Sequence, residues 1–256
     1  MAAARNLLDF TGKSVLITGG ATGIGRAAAL AFAEQGAGVG IGDVDDRAEE
    51  TVALINEAGG QAFFRRTDVR SGDQVQALVD AVVSAYGKLD CAFNNAGVLP
   101  PTQPLADTPD EVFDEIMSVD LRGVFLCMKA QIRQMLKSGG GAIVNTASIA
   151  GVVADPGMAS YVAAKHGVIG LTKAGAIDYA RSNIRINALA PGFVRTPMTQ
   201  RWIDDPAFLQ GLMANSPLGR AAEPEEITGL VLYLCSDLAS FATGQAFIVD
   251  GAQTTH

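Results

Sequence analysis

The chain has 256 residues, of which 48% are hydrophobic and 18% charged, and its formal net charge is −8. This composition excludes intrinsic disorder, and an acidic chain without a basic cluster is poorly suited to bind nucleic acid or an anionic membrane. No apolar run approaches the ~20 residues that span a bilayer, and the apolar stretch near Met1 is too short for a secretory signal. We therefore expect a soluble, cytoplasmic protein with neither nucleic acid nor membrane as a partner.

The cysteines and histidines exclude two further classes of protein. Cys91, Cys127 and Cys235 are an odd number without a CxxC pair. They do not form a disulfide framework, and we expect all three to be small core residues, because free cysteine is mostly buried. His166 and His256 lack the ligand spacing of a zinc site, so no metal site is predicted.

Seven short apolar runs alternate with longer amphipathic segments, such as 73–85, where valine and leucine recur at helical spacing. Runs that are apolar almost throughout are typical of strands covered on both faces. Alternation of strands and helices favours a doubly wound parallel sheet with helices on both faces. The sequence predicts a single α/β domain over 1–256. Its predicted strands are Ser14–Thr18, Gly38–Gly42, Gln61–Arg65, Leu89–Phe93, Ala142–Asn145, Arg185–Leu189 and Ala246–Val249.

A glycine-rich turn follows the first predicted strand. It reads Gly19-Gly20-Ala21-Thr22-Gly23-Ile24-Gly25 and leads into the helical run 26–34. In this order of strand, turn and helix, glycines let the backbone approach a pyrophosphate, and the helix N-terminus faces the anion. Glycines also occur in ordinary tight turns, but this position after the first strand favours a Rossmann-type dinucleotide site.

Asp43 lies at the end of the second predicted strand, near the distance from the glycine turn at which an acid binds the adenosine ribose. A carboxylate there accepts hydrogen bonds from ribose hydroxyls and repels a 2′-phosphate. Asp45 and Asp46 add negative charge, while Thr22 supplies no cation in the turn. The charges therefore favour NAD over NADP. Arg47 is the contrary feature, unless it is only a solvated helix residue.

Further motifs complete an ordered set. Asn94-Asn95-Ala96-Gly97 follows the fourth predicted strand, Ser148 follows the fifth, and Tyr161 and Lys165 share the next helical run. Pro191-Gly192 then follows the sixth strand. From residue 12 to about 251, the chain resembles the short-chain dehydrogenase/reductase family in its short single-domain form. The resemblance depends on the glycine turn together with this set, whose order is far more specific than any single motif.

Tyr161 and Lys165 carry the chemistry that this resemblance implies. A spacing of four residues brings them to one face of a helix. A phenol titrates near ~10, and we expect the neighbouring ammonium and an oxidised nicotinamide to lower that pKa. Tyr161 would then exchange a proton with the oxygen of an alcohol or ketone while hydride is transferred. Ser148 would hold the substrate oxygen, and the resemblance adds that Lys165 binds the nicotinamide ribose.

Asp120 departs from the family pattern. Relatives often carry an Asn in the helix before the fifth strand, where it holds a water linked to the lysine. Asp120 takes that position here. A carboxylate near Lys165 would stabilise the ammonium but partly cancel its effect on Tyr161. We predict an active enzyme with a shifted alkaline pH profile; the alternative is an Asp that only accepts local hydrogen bonds.

The resemblance also assigns cofactor contacts along the chain. It places the adenine beside the third strand, the riboses beside the fourth, and the nicotinamide amide beside the sixth. The predicted cofactor-binding residues are Gly19, Thr22, Gly23, Ile24, Gly25, Asp43, Asp68, Val69, Asn95, Ala96, Gly97, Tyr161, Lys165, Pro191, Gly192, Val194 and Thr196.

The substrate pocket is expected outside the carboxyl ends of the strands. By resemblance its walls come from 98–101, 149–154 and 193–213, the last within an irregular stretch, 191–223, that we predict to be a lid. Arg195 and Arg201 are the only obvious anion anchors, so we expect a neutral, hydrophobic secondary alcohol or ketone, cyclic ones included. The apolar wall residues are Val98, Leu99, Ile149, Val152, Val153, Phe193, Met198, Trp202 and Met213.

Assembly and competing functions complete the sequence-based predictions. Relatives commonly pair helices such as the predicted 112–135 across two-fold axes, so the resemblance implies a homotetramer. Two other functions compete with that of a dehydrogenase. A 3-oxoacyl carrier-protein reductase on the same scaffold should prefer NADP and show a basic docking patch, and Asp43 disfavours NADP. A non-catalytic nucleotide-binding protein would be free to lose Ser148, Tyr161 or Lys165, and all three are present.

Overall fold

The computed structural model describes residues 8–214 and 216–255, so His256 lies outside the described residues. The strands are β1 (Ser14–Thr18), β2 (Gly38–Asp43), β3 (Gln61–Arg66), β4 (Cys91–Asn94), β5 (Gly141–Thr146), β6 (Ile184–Pro191) and β7 (Ala246–Val249). They form one parallel sheet in the order β3-β2-β1-β4-β5-β6-β7. The predicted doubly wound seven-stranded sheet is confirmed.

Helices cover both faces of the sheet. In the described part of the chain they are α1 (Gly23–Glu34), α2 (Ala48–Glu57), α3 (Gly72–Tyr86), α4 (Asp110–Ile116), α5 (Val124–Ser138), α6 (Ala159–Tyr179), α7 (Gln200–Ile203), α8 (Pro206–Ala214) and α9 (Pro224–Cys235). One core cluster contains Phe32 of α1 and Val231 of α9, and the other contains Leu78 of α3 and Val168 of α6. None of the helices described is both long and apolar enough to cross a membrane.

The strand boundaries show where local bonding departs from the apolar pattern. The fourth strand is predicted from Leu89 but begins at Cys91. Leu89 is fully buried, as its apolar side chain suggests. The next residue, Asp90, instead uses its carboxylate, which accepts a hydrogen bond from the backbone N–H of Ser14 at 2.9 Å. A side chain thus takes part in the pairing with β1 where the strand begins.

The three cysteines are buried and free, as predicted. Burial raises the pKa of the Cys127 thiol to about 12, because the buried site disfavours the thiolate. A thiol that stays protonated at neutral pH is a poor nucleophile. The structure therefore supports a packing role for this residue.

The segment predicted as one long helix over 112–135 contains a π-helix, Met117–Gly123, between α4 and α5. The wider turn moves the backbone relative to a continuous α-helix. Gly123 lies close to the loop that follows β3. A Cβ added to Gly123 would lie 2.8 Å from the Val69 side chain. The π-helix also contains Asp120, whose carboxylate is fully buried in the interior of the protein.

A buried amide network joins the central strands to the helices behind them. Asn94 of β4 donates to the side-chain oxygens of Gln131 at 3.0 Å and Asn145 at 2.9 Å. Gln131 of α5 donates back to Asn94 at 2.7 Å, and Asn145 of β5 donates to Thr172 of α6 at 3.0 Å. Because buried polar groups are costly when unpaired, this network fixes the position of α6 relative to the strand ends.

We predict that Asn94→Leu destabilises the protein by roughly 2–4 kcal/mol, because it leaves polar atoms of Gln131 and Asn145 buried without their partner. Equilibrium urea denaturation measures the change. Gln76→Leu is the matched control, since Gln76 is exposed and its side chain donates to Asp80 on the surface of the same helix; it should change stability by less than about 0.5 kcal/mol. Equal midpoints for the two variants would contradict a stabilising network.

Candidate active site

The candidate site lies where the strand order reverses, between β1 and β4. In an open parallel sheet this switch point leaves a crevice at the carboxyl ends of the strands. The crevice here has a volume of about 410 Å³ and extends from the glycine turn past Asp43 to Ser148 and Tyr161. Both predicted halves of the site, for cofactor and for chemistry, therefore share one cleft.

Glycine is required at two positions of the turn after β1. Gly19 has a φ of +71°, and a Cβ there would lie 2.8 Å from the Cα of Ala96. A Cβ at Gly25 would lie 1.9 Å from the carbonyl oxygen of Gly19, so α1 starts directly against the turn. The side chain of Thr22 does not cap α1, whose first turn carries no acidic residue. An uncapped helix N-terminus behind a close turn fits a pyrophosphate.

The end of β4 is anchored to the same turn. Thr18 accepts hydrogen bonds through Oγ1 from the backbone N–H groups of Asn95 at 3.1 Å and Ala96 at 3.2 Å. The Asn95 side chain donates to the carbonyl of Gly19 at 3.0 Å. The Asn-Asn-Ala-Gly motif is thereby held beside the glycine turn, where the resemblance places the cofactor riboses.

Asp43 closes the other side of the turn. Its Oδ2 accepts from the Ala21 N–H at 2.9 Å, and its Oδ1 accepts from the Asp45 N–H at 3.0 Å. Two backbone donors thus fix the carboxylate at the edge of the cleft. Arg47, which could have offered a cation here, pairs with Asp45 at 2.6 Å.

Two elements bring Ser148, Tyr161 and Lys165 together. Ser148 starts the 3₁₀ turn Ile149–Gly151 after β5, and the other two lie one turn apart on α6. The Nζ of Lys165 lies 5.2 Å from the centroid of the Tyr161 ring, and the Ser148 side chain is close enough to Tyr161 to lower the pKa of its phenol. All three line the cleft. A hydroxyl pair backed by an ammonium can bind one oxygen atom and exchange a proton with it.

Asp120 and Lys165 form a buried ion pair. The Oδ2 and Nζ atoms are 3.0 Å apart, and the side chains are 0% and 3% exposed. Lys165 also donates to the Thr146 carbonyl at 3.1 Å, while Asp120 Oδ1 accepts from the Val98 N–H at 2.8 Å. The carboxylate therefore contacts the lysine directly, at the position where relatives often carry a water-linked Asn.

Burial and the neighbouring charged groups together set the pKa values of this cluster. The pKa of Tyr161 is raised above its usual 10.0 because burial disfavours the phenolate; Asp120 adds to the rise, whereas Lys165 and the Ser148 hydrogen bond oppose it. Lys165 lowers this pKa, as expected, but burial outweighs its effect. Burial lowers the pKa of Lys165, but Asp120 and Tyr161 outweigh it, so the net pKa rises and the ammonium persists at neutral pH. Burial raises the pKa of Asp120 against the opposing effect of Lys165.

The structure brings the predicted residues together with one exception. Gly25 does not reach the cleft, because it packs beneath Gly19. The predicted catalytic and cofactor-binding residues that line the cleft are Gly19, Thr22, Gly23, Ile24, Asp43, Asp68, Val69, Asn95, Ala96, Gly97, Asp120, Ser148, Tyr161, Lys165, Pro191, Gly192, Val194 and Thr196.

The predicted apolar walls are formed only in part. Val98 and Met198 line the cleft. Trp202 instead packs in an aromatic stack, with ring centroids 6.2 Å from Phe193 and 5.5 Å from Phe208. The reason is that the stretch predicted to be irregular contains α7 and α8, whose apolar side chains pack on one another. The wall residues that do not line the cleft are Leu99, Ile149, Val152, Val153, Phe193, Trp202 and Met213.

Both candidate anion anchors are engaged elsewhere. Arg195 donates through Nε to Glu223 at 3.0 Å, and Arg201 donates to the carbonyl of Pro100 at 2.5 Å. Neither side chain lines the cleft. The structure therefore gives no support to an anionic substrate group bound by these arginines.

The sequence reasoning missed Thr146 and Arg70. Thr146 ends β5, and its buried Oγ1 has no hydrogen-bond partner among the described residues although the residue lines the cleft. An unpaired hydroxyl at this point fits a polar ligand in the cleft, and its place two residues before Ser148 could have indicated it. Arg70 pairs with Asp68 at 2.6 Å beside the predicted adenine end, a loop contact that no sequence pattern marks.

Comparisons with known proteins agree with this geometry. A family model described as enoyl-(acyl carrier protein) reductase matches residues 19–254. The 2,5-dichloro-2,5-cyclohexadiene-1,4-diol dehydrogenase of Sphingobium indicum is 45% identical, over 96% of this chain and 98% of that protein. The chain belongs to the short-chain dehydrogenase/reductase family. Two other members are each 40% identical: the cyclohexanol dehydrogenase of an Acinetobacter species, over 96% of both chains, and the 3-oxoacyl-(acyl-carrier-protein) reductase of Thermotoga maritima, over 94% and 97%.

Solved structures of the same family superpose closely. Levodione reductase has a TM-score of 0.93 and 37% identity, over 96% of this chain and 99% of that one. A gluconate 5-dehydrogenase from Burkholderia cenocepacia, in complex with NADP and tartrate, has a TM-score of 0.93 and 34% identity, over 98% of both chains. This short-chain dehydrogenase/reductase is therefore an oxidoreductase of the alcohol dehydrogenase type that uses a nicotinamide cofactor.

Proposed function

We propose that the protein is an NAD-dependent oxidoreductase that interconverts a neutral, hydrophobic secondary alcohol, above all a cyclic one, and its ketone. The observation that carries this proposal is the meeting of Ser148, Tyr161 and Lys165 in a cleft whose other end is the glycine turn. Two of the reported relatives are by name dehydrogenases of a cyclic diol and a cyclic alcohol, which supports the substrate class.

Tyr161 exchanges the proton in the proposed mechanism, and Ser148 holds the same substrate oxygen by hydrogen bond. In oxidation the phenolate takes the hydroxyl proton of the alcohol as hydride leaves the carbon and the carbonyl forms. In reduction the phenol donates its proton to the forming alkoxide. The nicotinamide cofactor, when bound, accepts or supplies the hydride. Lys165 stabilises the phenolate through its positive charge.

The cofactor would be held along the whole cleft. The turn around Gly19 and the N-terminus of α1 would bind the pyrophosphate, and Asp43 the adenosine ribose. Asp68 and Val69 would contact the adenine, with Lys165 binding the nicotinamide ribose. Asn95, Ala96 and Gly97 would flank the riboses, and Pro191, Gly192, Val194 and Thr196 would hold the nicotinamide amide.

The preference for NAD follows from the charges around Asp43. In the proposed cofactor position Asp43 would bind the adenosine ribose. Two arginines near the end of β2 are paired with carboxylates, Arg47 with Asp45 and Arg66 with Asp46, each at 2.6 Å. A 2′-phosphate would therefore be repelled by the Asp43 carboxylate. Since a family member at 34% identity binds NADP, the family alone does not decide the cofactor, and the proposal depends on this local charge.

We infer a neutral substrate from the hydrogen bonds of the two arginines and from the apolar residues of the cleft. Arg195 and Arg201 are bonded to Glu223 and to the Pro100 carbonyl. Val98 and Met198 supply apolar surface next to the catalytic groups. A substrate carboxylate would find apolar walls and engaged arginines, whereas an uncharged ring would bury its surface favourably.

A 3-oxoacyl carrier-protein reductase is the second candidate, favoured by the Thermotoga maritima relative and by the description of the matching family model. Such an enzyme should prefer NADPH and dock an acidic carrier protein on a basic surface. The net charge of −8 and the position of Asp43 disfavour it. NADPH-dependent reduction of acetoacetyl-CoA in preference to cyclic ketones would establish this alternative.

The homotetramer stays a prediction. Phe113 and Phe125, on the two helices that flank the π-helix, are 42% and 46% exposed, and Ile248 of β7 is 45% exposed. Large apolar side chains left in water are typical of surfaces that bury against another chain. We propose that copies of this chain cover them.

We predict that Tyr161→Phe lowers kcat for cyclohexanol oxidation by about 10³-fold, because phenylalanine cannot exchange the proton. NADH binding, followed by nucleotide fluorescence, should be unchanged. Tyr179→Phe is the matched control, since it removes the same hydroxyl about five turns further along α6, and it should retain wild-type turnover. Near-normal turnover of Tyr161→Phe would refute the proposed mechanism.

We predict that the wild-type enzyme prefers NAD to NADP by about 10²-fold in kcat/KM, because Asp43 repels the 2′-phosphate. Asp43→Ser should reduce this ratio by about tenfold or more, mainly by improving NADP. Glu57→Ser removes one carboxylate at the far end of α2 and should leave the ratio unchanged. A wild-type preference for NADP would overturn the role given to Asp43.

We predict that Asp120→Asn shifts the acid limb of the pH profile of log kcat/KM for alcohol oxidation to lower pH by about one unit. Asp120 raises the pKa of Tyr161, oxidation needs the phenolate, and removing the negative charge lowers that pKa. The alkaline limb should also move down, because Asp120 raises the pKa of Lys165. Asp114→Asn, an exposed neutralisation on α4, is the control. Superimposable profiles for all three proteins would exclude an electrostatic role for Asp120.

A further inference from the structure

Arg201 joins two segments whose neighbouring residues, Val98 and Met198, line the cleft. Its Nη2 donates to the carbonyl of Pro100 at 2.5 Å. Pro100 belongs to the loop after β4, and Arg201 lies on α7, which follows β6. In the sheet, β5 lies between these two strands, about 4.8 Å from each. The bond therefore joins segments that follow the two strands on either side of β5, and Ser148 follows β5 itself.

The arginine contacts the aromatic side chains of the lid, which we define as the described residues 191–214 and 216–223. Its guanidinium carbon lies 5.2 Å from the centroid of the Trp202 ring. That ring stacks on Phe208 at 5.5 Å with an interplanar angle of 20°. A guanidinium held against an indole face loses little additional freedom when it binds a carbonyl. The aromatic stack thus supports the Arg201 guanidinium, which donates to the carbonyl of Pro100.

The opposite wall is anchored to the catalytic groups. Val98, two residues before Pro100, donates to Asp120 at 2.8 Å, and Asp120 pairs with Lys165 at 3.0 Å. Pro100 itself is buried. A short series of contacts consequently connects Lys165 to the carbonyl that Arg201 binds.

A second arginine of the lid, Arg195, makes a different contact. Arg195 pairs with Glu223 at 3.0 Å, and both residues belong to the two ends of the lid itself. That ion pair joins the two ends of the lid to each other and, among the described residues, makes no hydrogen bond to the loop after β4. Arg195 therefore makes a contact within the lid, whereas Arg201 makes a contact between the lid and the loop after β4.

We propose that Arg201 is a positioning residue that latches the lid over Ser148 and Tyr161, and that this latch sets the upper size of the substrate. A compact ring fits beneath the bond, whereas a bulky substituent has to break it. The lid position follows from the structure alone; the substrate part of this inference rests on the proposed function.

The first test uses fluorescence of the protein without ligands. Trp202 is the only tryptophan in the chain, so its quenching by acrylamide reports on the lid. Arg201→Met keeps an apolar side chain over the indole but removes the donor to Pro100, and it should raise the Stern–Volmer constant at least about twofold. Arg201→Lys, which keeps a charged donor, should recover part of the protection. Arg195→Met is the matched control and should resemble the wild type.

The second test measures selectivity with NAD, using cyclohexanol and 4-phenylcyclohexanol. Arg201→Met should raise the KM for cyclohexanol about tenfold with kcat within about threefold, and should shift the kcat/KM ratio toward the bulky alcohol at least tenfold. Unchanged quenching in Arg201→Met, an equal rise in Arg195→Met, or an unchanged selectivity ratio would each overturn the latch. A wild type inactive on every alcohol would count against the proposed function alone, because the quenching comparison still decides whether the latch exists.

Discussion

The ion pair between Asp120 and Lys165 is the constraint on which the geometry of the site depends. Both charges are buried, at a separation of 3.0 Å, and a buried charge that loses its partner destabilises a protein by several kcal/mol. Each residue therefore holds the other in place. The same two side chains contact the end of β5 through the Thr146 carbonyl and the loop after β4 through the Val98 N–H. One electrostatic contact thus sets the relative positions of three elements around Tyr161.

The two residues of this ion pair lie on different helices. Lys165 arrives on α6, which the amide network of Asn94, Asn145 and Thr172 fixes against the central strands. Asp120 arrives in the π-helix, a device that often occurs at functional sites because it changes which side chains face inward. A regular helix through the same segment would rotate the carboxylate relative to the lysine. The local irregularity and the buried pair therefore depend on each other.

This arrangement has a chemical consequence for Tyr161. Burial and Asp120 raise its pKa, and Lys165 opposes them. A phenol that is protonated at neutral pH is suited to donate a proton to a forming alkoxide, while removal of a proton from an alcohol improves as the pH rises. In the proposed enzyme, the charge of Asp120 thus shifts the pH range over which Tyr161 can remove a proton, because it raises the pKa of Tyr161.

The sequence by itself determined the parallel sheet, the glycine turn, the acid after β2 and the set of Ser148, Tyr161 and Lys165, because each of these depends on short-range patterns: apolar runs, a strand–turn–helix order, and a spacing of one helical turn. Only the tertiary structure decided that Asp120 touches Lys165, that the pKa of Tyr161 rises, and that Arg201 bonds to Pro100. These features join residues far apart in the chain, and they depend on burial and on distances of a few ångströms, which no local pattern contains.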